Sequence, residues 1–377
     1  MEWQEHAARL AQEVTDPVSR WRDPVATVPR HELVPRWWTR DGDGWELHDG
    51  PTDPAAWLRA AYSDTSLVTS VGGLHADHAR PGDRPEGRPT SSATHPGLVV
   101  RMLRHARLTD GLDLLDVGTG AGGLTAYAAR RLGDRRVTSV DVEPYLTEAA
   151  AERLDRMGLR PHIVACDATG PLPGTSYDRI VATVSVRPLP ASWLAALRPG
   201  GRLVTTIANT SLILTAWKRD DGSAEGQIER DWAGFMTTRT GPDYPPGLEK
   251  LFTVVRDREG ETITIGRYPV LDIENAWELR SMLEITTPGV EIRYEQHGRE
   301  RTAWLLHRDG SWARASATWT DPPTVHQGGP RRLWDALERI RNRLNAEGSL
   351  PLHGARVTIT PDGVCHLTRG KWSATID

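Results

Sequence analysis

The residues best suited to chemistry are glycines and carboxylates between positions 112 and 141. Asp116, Gly118, Gly120 and Gly122 form the pattern D-x-G-x-G-x-G, and Asp141 follows further along the chain. Glycines let a backbone loop approach a bound nucleotide closely, and a carboxylate beyond them can accept hydrogen bonds from ribose hydroxyls. The pattern therefore predicts a site for a nucleotide-containing cofactor.

Regular elements flank these residues and would hold them in place. Apolar or helix-favouring runs predict strands over 112–117, 137–140 and 162–165 and a helix over 124–132. Strand, glycine turn, helix and strand are the first half of a nucleotide-binding unit. They predict an α/β fold with a Rossmann-like, doubly wound sheet.

Three further features favour S-adenosylmethionine, although the glycines alone also satisfy the dinucleotide fingerprint. Asp116 at the strand end suits a cationic cofactor better than a pyrophosphate. Asp167, after the third predicted strand, is well placed to accept from an adenine amino group. Residues 197–204 (LRPGGRLV) resemble the turn into the fifth strand of class I methyltransferases. The alternative is an α/β domain whose pocket has lost its function.

A group of hydroxyls precedes a predicted helix whose apolar face begins at Leu98. These hydroxyls belong to Thr90, Ser91, Ser92 and Thr94. One interpretation is an N-cap, because Ser and Thr accept from the free N–H groups of a helix start. The other is a binding site for a carboxylate, which hydroxyls and open N–H groups also favour. On the local sequence alone, the N-cap is the better interpretation.

Five segments occur in the order expected of one known family. They are VPRHELVP at 28–35, AYSD at 61–64, ATHPGLV at 93–99, DVGTGAG at 116–122 and YDRIVAT at 177–183. Together they resemble protein-L-isoaspartate O-methyltransferase, and the similarity covers about residues 1–208. In that family a serine of an I-S-x-P motif lies beside the substrate carboxylate and the transferred methyl group. Aligned on the proline, Thr94 takes that position here, and Ser91 or Ser92 could substitute for it.

The resemblance implies a methyltransferase that uses S-adenosyl-L-methionine and esterifies a carboxylate. The implied cofactor-binding residues are Asp116, Gly118, Thr119, Gly120, Gly122, Asp141, Asp167 and Thr183. The implied catalytic residues are Thr94, Ser91 and Ser92. With the resemblance added, carboxylate binding becomes the better interpretation of the hydroxyl segment.

Length and composition narrow the remaining possibilities. The 377 residues carry a net charge of −4 with scattered Lys and Arg, so no basic stripe points to nucleic acid. Residues 182–188 (ATVSVRP) also lack the Asn/Asp-Pro-Pro-aromatic motif of adenine-specific nucleic-acid methyltransferases. His75 and His78 lack a third ligand at suitable spacing, so no metal is expected. Without an apolar signal core or a membrane-length run, a cytoplasmic protein that does not contact membranes is expected.

The chain divides by composition into three parts. The predicted parts are a catalytic domain over 1–208 (1–88 on the substrate side, 89–208 as the cofactor-binding core), a connection over 209–255 and an α+β domain over 256–377. Loops are expected at 72–89, which we predict to be mobile, and at 218–230, and a substrate-lining strand at 235–239. The last domain should contain strands over 290–294, 302–306 and 311–318, a helix over 333–344 and a closing hairpin over 355–368.

The C-terminal part resembles extensions on isoaspartyl-methyltransferase homologues that tailor ribosomally made peptides, such as graspetides, lasso peptides and lanthipeptides. The resemblance implies a macrocyclised precursor peptide as partner, with one ordinary aspartate esterified and converted to aspartimide or isoaspartate. General isoaspartate repair is the alternative function. A further alternative is a peptide-binding module that kept the fold without catalysis.

Overall fold

The computed structural model describes residues 3–42, 44–174, 176–239 and 243–377. This part of the chain contains one ten-stranded sheet and two five-stranded sheets. It contains no helix long and apolar enough to cross a bilayer.

The N-terminal part forms the first five-stranded sheet. Its helices are α1 (Trp3–Val14), α2 (Arg22–Thr27), α3 (Arg30–Leu33) and α4 (Pro54–Ala61). Its strands are β1 (Arg36–Asp41), β2 (Gly44–Asp49), β3 (Leu67–Val71), β4 (Leu74–His75) and β5 (Pro89–Ala93). The strands run in the order β2-β1-β3-β4, and β5 pairs antiparallel with β3.

The middle of the chain forms most of the ten-stranded sheet. Its helices are α5 (Pro96–His105), α6 (Gly123–Leu132), α7 (Pro144–Arg156) and α8 (Ala191–Ala196). Its strands are β6 (Leu114–Val117), β7 (Val137–Asp141), β8 (His162–Ala165), β9 (Tyr177–Val186), β10 (Leu197–Ile207), β11 (Leu212–Lys218) and β12 (Ala224–Trp232). The strands β8, β7, β6, β9 and β10 lie side by side in that order and are parallel. The predicted Rossmann-like class is confirmed.

The connections reverse direction at β6. The chain passes from β6 to β7 and β8 on one side, and then returns to place β9 on the other side of β6. At such a switch point the two neighbouring loops diverge and leave a crevice outside the carboxyl ends of the strands, where ligands bind. The fold therefore places a binding site beyond the ends of β6 and β9.

The C-terminal part adds the second five-stranded sheet and extends the central one. Its helices are α9 (Glu249–Val255), α10 (Trp277–Thr286) and α11 (Leu333–Glu347). Its strands are β13 (Thr262–Ile265), β14 (Glu291–His297), β15 (Glu300–Leu306), β16 (Trp312–Thr318), β17 (Thr324–Gly328), β18 (Arg356–Ile359), β19 (Cys365–Arg369) and β20 (Trp372–Ile376). The first five of these strands form an antiparallel sheet in the order β13-β17-β16-β15-β14.

The predicted closing hairpin does not belong to that second sheet. Strand β18 pairs with β12, so β18, β19 and β20 continue the central sheet of the catalytic core. One hydrophobic cluster also joins residues such as Ile180 of β9 and Leu305 of β15. The segment over 256–377 therefore shares its sheet and its core with the rest of the protein, which corrects the expectation of a separate domain.

Two predicted loops contain ordered elements. The segment over 218–230 is a β-hairpin, because β12 starts at Ala224 and pairs with β11 and β18. Most of its charged residues are exposed, and this high content of charge made the segment resemble a loop in the sequence. The segment over 72–89 contains β4 and a short helical turn, and the Asp77 carboxylate there accepts from the Tyr145 hydroxyl at 2.7 Å and pairs with Arg153.

Candidate active site

A cavity of about 630 Å³ opens beyond the carboxyl ends of the parallel strands. The residues that line it include Gly118 and Thr119 after β6, Asp141 as the last residue of β7, Asp167 after β8 and Thr183 within β9. The elements that the sequence predicted around the glycines, β6, α6, β7 and β8, all form within two residues of the expected bounds. The cavity therefore lies at the predicted switch point.

The glycine loop follows a path that side chains would block. Gly118 has φ +99°, and a Cβ there would lie 2.9 Å from Cγ1 of Val184. Gly120 has φ +50°, and a Cβ there would lie 3.3 Å from the carbonyl oxygen of Ser92. Both positions require glycine because the loop is left-handed there and closely packed. The loop thus carries no side chain at these two positions, where it lines the cavity.

Asp141 holds the loop and faces the cavity. Its Oδ2 accepts from the Gly120 N–H at 2.9 Å and its Oδ1 from the Glu143 N–H at 3.2 Å. Each carboxylate oxygen has a second lone pair, so both can accept from the hydroxyls of a bound ribose. Burial raises the pKa of Asp141, although these hydrogen bonds oppose the shift.

Asp116 does not line the cavity, which corrects the prediction. Its side chain is fully buried behind the loop, and Oδ2 accepts from Thr125 Oγ1 at 2.6 Å and Ser139 Oγ at 3.1 Å. Side chains alternate along a strand, and this one points to the helix side of β6 rather than beyond its end. Burial raises the pKa of Asp116 to about 7. Its role is to join β6, β7 and α6 below the loop.

Gly122 also differs from the prediction that it binds the cofactor. It lies at the start of α6 with φ +88°, and a Cβ there would lie 3.4 Å from Cβ of Ala150 and 3.8 Å from Leu33. It therefore allows α6 to pack closely on its neighbours and does not line the cavity.

The hydroxyl segment forms a strand, so the N-cap interpretation is wrong. Residues 89–93 are β5, and helix α5 begins only at Pro96, with His95 as its N-cap residue. Asp64 accepts from the Gly97 N–H at 2.7 Å and lies 3.2 Å from Nδ1 of His95. Burial alone would raise the pKa of Asp64, but the hydrogen bonds from His95 and Gly97 outweigh it and hold the pKa below its ordinary value.

The hydroxyls of the segment differ in their availability. Ser91, Ser92 and Thr94 all line the cavity. Ser91 is buried, and its Oγ accepts from Thr69 Oγ1 at 3.0 Å. Within the described residues, the hydroxyls of Ser92 and Thr94 make no hydrogen bond to protein, and both side chains are only partly buried. Thr94 and Ser92 are therefore the better placed donors for a substrate.

Arg30 holds the backbone of the hydroxyl segment through hydrogen bonds. Its guanidinium donates to the carbonyl oxygens of Thr65 at 3.0 Å, Ala93 at 3.2 Å and Thr94 at 3.3 Å, and also to Ala61. Burial of the side chain lowers the pKa of Arg30. Arg30 and Asp64 both lie in segments that we used only as signs of resemblance. Their presence in two of the family-like segments was the only sign in the sequence that they could position the hydroxyl segment.

The outer wall comes from the second half of the chain. The predicted substrate-lining segment over 235–239 lies beside the end of β9, where Ser185 donates its N–H to Met236 O and accepts from the Thr238 N–H, both at 2.9 Å. This contact is an isolated bridge rather than a strand. Trp232 and Trp277 complete the wall, and no local pattern in the sequence indicated that they would meet.

The residues present fit S-adenosyl-L-methionine. The loop beyond β6 carries no side chain at Gly118 and Gly120, Asp141 can accept from ribose hydroxyls, and Asp167 lines the cavity after β8, where an adenine amino group is expected. Within the described residues, no group of three or more His, Cys, Asp or Glu side chains is arranged to hold a metal ion.

Comparisons with known proteins agree with this geometry. The family described as protein-L-isoaspartate (D-aspartate) O-methyltransferase matches residues 58–235. A protein-L-isoaspartate O-methyltransferase from Pyrococcus horikoshii is 36% identical over 155 residues, which are 40% of this chain and 67% of that protein. Protein-L-isoaspartate O-methyltransferase 1 from Archaeoglobus fulgidus is 28% identical over 229 residues, which are 59% of this chain and 88% of that protein.

A solved structure has a similar fold along nearly the whole chain. It is titled protein-L-isoaspartate O-methyltransferase, and it matches with a TM-score of 0.51 and 17% identity over 97% of this chain and 99% of that one. This likeness concerns the fold, including the C-terminal part. Taken with the matched segments and the cavity, the comparisons show that the chain belongs to the protein-L-isoaspartate O-methyltransferase family, whose cofactor is S-adenosyl-L-methionine.

Proposed function

We propose that this protein esterifies the side-chain carboxylate of one aspartate in a ribosomally made, macrocyclised precursor peptide. The observation that carries the proposal is the composition of the cavity wall. Hydroxyls of the catalytic core and Trp277 of the C-terminal part line the same cavity. A peptide substrate that filled this cavity would therefore contact both parts of the chain.

The chemistry requires positioning more than proton transfer. An aspartate has a reference pKa of about 3.9, so at neutral pH its carboxylate is already the nucleophile. When bound, S-adenosyl-L-methionine supplies an electrophilic methyl group on a sulfonium. The protein must hold the carboxylate in line and exclude water, and such orientation is worth roughly 7–11 kcal/mol in favourable cases.

The named residues divide this work. Asp141 and the glycine loop hold the cofactor, and the hydroxyls of Thr94 and Ser92 donate to the substrate carboxylate. Donation from a hydroxyl orients a carboxylate without protonating it, so its nucleophilic lone pair is kept. Arg30 holds the backbone that carries these hydroxyls, because its guanidinium donates to the carbonyls of Ala93 and Thr94 and also to that of Thr65.

The ester then changes the peptide. The backbone nitrogen that follows the esterified residue attacks the ester carbonyl, a C–N bond forms, and methanol leaves with the nitrogen's proton. The product is a five-membered aspartimide, and its hydrolysis yields isoaspartate or aspartate. This second step needs no residue of the protein.

General isoaspartate repair is the second candidate, and the full-length likeness favours it. A structure titled protein-L-isoaspartate O-methyltransferase has a similar fold over the C-terminal part as well. An extension of this kind is therefore not by itself a mark of peptide tailoring. Repair and peptide tailoring must therefore be distinguished by which substrate the protein methylates.

Mass spectrometry can decide between the two. The purified protein and S-adenosyl-L-methionine would be incubated with the macrocyclised precursor encoded beside the gene, and separately with a generic isoaspartyl peptide. We expect a gain of one methyl group, followed by loss of methanol, on the precursor. Methylation of the generic peptide with none of the precursor would overturn the tailoring proposal.

A further inference from the structure

Two tryptophans at the mouth of the cavity are unusually exposed. Trp232, at the end of β12, is 52% exposed, and Trp277, at the start of α10, is 42% exposed. Indoles normally bury most of their large apolar area, so a pair of exposed indoles points to a surface that contacts a ligand. Their rings meet edge to face with centroids 3.9 Å apart and planes at 86°.

The pair is held by rigid elements from both halves of the chain. The carbonyl of Trp232 accepts from the Arg101 guanidinium at 3.2 Å, and Trp232 pairs with Leu212 of β11. Helix α10 buries Leu279 and Leu283 in the shared core behind Trp277. The indoles are thus presented in one arrangement before any substrate arrives, which lowers the entropy lost on binding.

The pair belongs to the same cavity as the candidate catalytic hydroxyls. Both indoles line it together with Thr94 and Ser92. Within the described residues, neither indole N–H makes a hydrogen bond, so each can donate to a peptide carbonyl. A peptide that extends through this cavity from the hydroxyls would therefore reach these rings.

From this arrangement we propose that Trp232 and Trp277 select the substrate by holding an apolar side chain next to the target aspartate. The inference rests on the proposed function, since it assumes a peptide substrate. Asp141 and the glycine loop, to which the proposed function assigns the cofactor, lie on other elements than the two indoles. We therefore expect the pair to act on peptide affinity and not on cofactor affinity. The C-terminal part thereby contributes to specificity through Trp277.

Alanine variants test the pair, and Trp319 offers a matched control. Trp319 is also in the C-terminal part and is 43% exposed, but it stacks under Arg301 and does not line the cavity. Methylation kinetics would be measured for Trp232→Ala, Trp277→Ala and Trp319→Ala on the peptide that the wild type methylates. We expect KM for the peptide to rise about tenfold or more in the first two variants, the scale of a tryptophan hot spot. The calorimetric affinity for S-adenosyl-L-methionine and KM in Trp319→Ala should stay unchanged.

A change in the peptide completes the test. Replacing the apolar residue nearest the target aspartate by serine should raise KM for the wild type and add little in Trp277→Ala, because the two changes remove the same contact.

Unchanged KM in both alanine variants, with normal cofactor affinity, would overturn the inference and leave the proposed function intact. If the wild type methylates only isoaspartyl peptides, the proposed function fails, and the same variants tested on peptides with leucine or serine beside the isoaspartate still decide the role of the pair. Trp277→Phe should restore part of the affinity, which separates ring contact from a folding defect.

Discussion

Arg30 is the residue whose loss should most clearly separate the positioning of substrate from the binding of cofactor. Its guanidinium joins the backbone carbonyls of Ala61, Thr65, Ala93 and Thr94, and its side chain is 4% exposed. Arg30→Met keeps most of the volume and removes every donor. The hydroxyl segment and the segment over 61–65 then lose the donor that joins them.

The magnitude follows from two opposing effects. Hydrogen bonds from a charged group contribute about 1.5–3 kcal/mol each, so four such contacts would suggest a large loss. Burial of the charge, which also lowers the pKa of Arg30, is relieved at the same time and offsets part of that loss. We expect a net decrease of about 2–4 kcal/mol in the free energy of unfolding, or a fall of about 2–5 °C in the apparent Tm for a chain of this size.

Three measurements on the variant check this reasoning. Thermal unfolding gives the Tm, calorimetry the affinity for S-adenosyl-L-methionine, and single-turnover methylation the rate of the chemical step. The rate should fall while cofactor affinity stays near that of the wild type, because the contacts of Arg30 lie on the substrate side. Arg9→Met, on the exposed face of α1, is the control and should change stability by no more than about 0.5 kcal/mol. A Tm within about 1 °C of the wild type and a normal rate in Arg30→Met would refute the argument.

Three other predictions concern single side chains. Asp141→Ala should weaken S-adenosyl-L-methionine by about 1.5–3 kcal/mol through loss of bonds to the ribose, and an unchanged calorimetric affinity would contradict that role. Thr94→Ala should depress turnover with near-normal cofactor affinity, whereas a larger effect of Ser91→Ala would show that the alignment on the proline is shifted. Asp116 binds its proton more tightly in the folded chain, where its pKa is about 7, than in the unfolded chain, where it is about 3.9. Its contribution to stability is therefore present below about pH 4 and lost as the pH rises through about 7. Asp116→Asn should flatten the pH dependence of urea unfolding over that window, and an unchanged profile would count against the assignment.

The elements around the cofactor loop could be predicted because their signals are local. The helix over 124–132 and the strands beside it formed as expected, since each has its own apolar pattern and the glycines mark the turn. Helix α11 was likewise expected, over 333–344, from the spacing that begins at Leu333. In each case neighbouring residues in the chain determine the structure.

Side-chain direction was less predictable even inside a recognised motif. Asp116 is in the expected strand, yet its carboxylate lies under the loop with Thr125 and Ser139. The sequence does not state which face of β6 turns toward the ligand, because both faces of a central strand are buried. The hydroxyls over 90–94 were equally ambiguous, since a Ser/Thr-rich run suits either an N-cap or a strand.

The sequence by itself determined the α/β class, the cofactor loop and the family, because glycines, acids and apolar periods at short spacing carry those signals. Only the tertiary structure decided how distant segments meet. It paired β18 with β12, which made the C-terminal part continuous with the catalytic sheet, and it brought Trp277 against Trp232 at the cavity mouth. Those contacts depend on the packing of a shared core, in which the partner of each residue is set by the whole fold rather than by its neighbours in the chain.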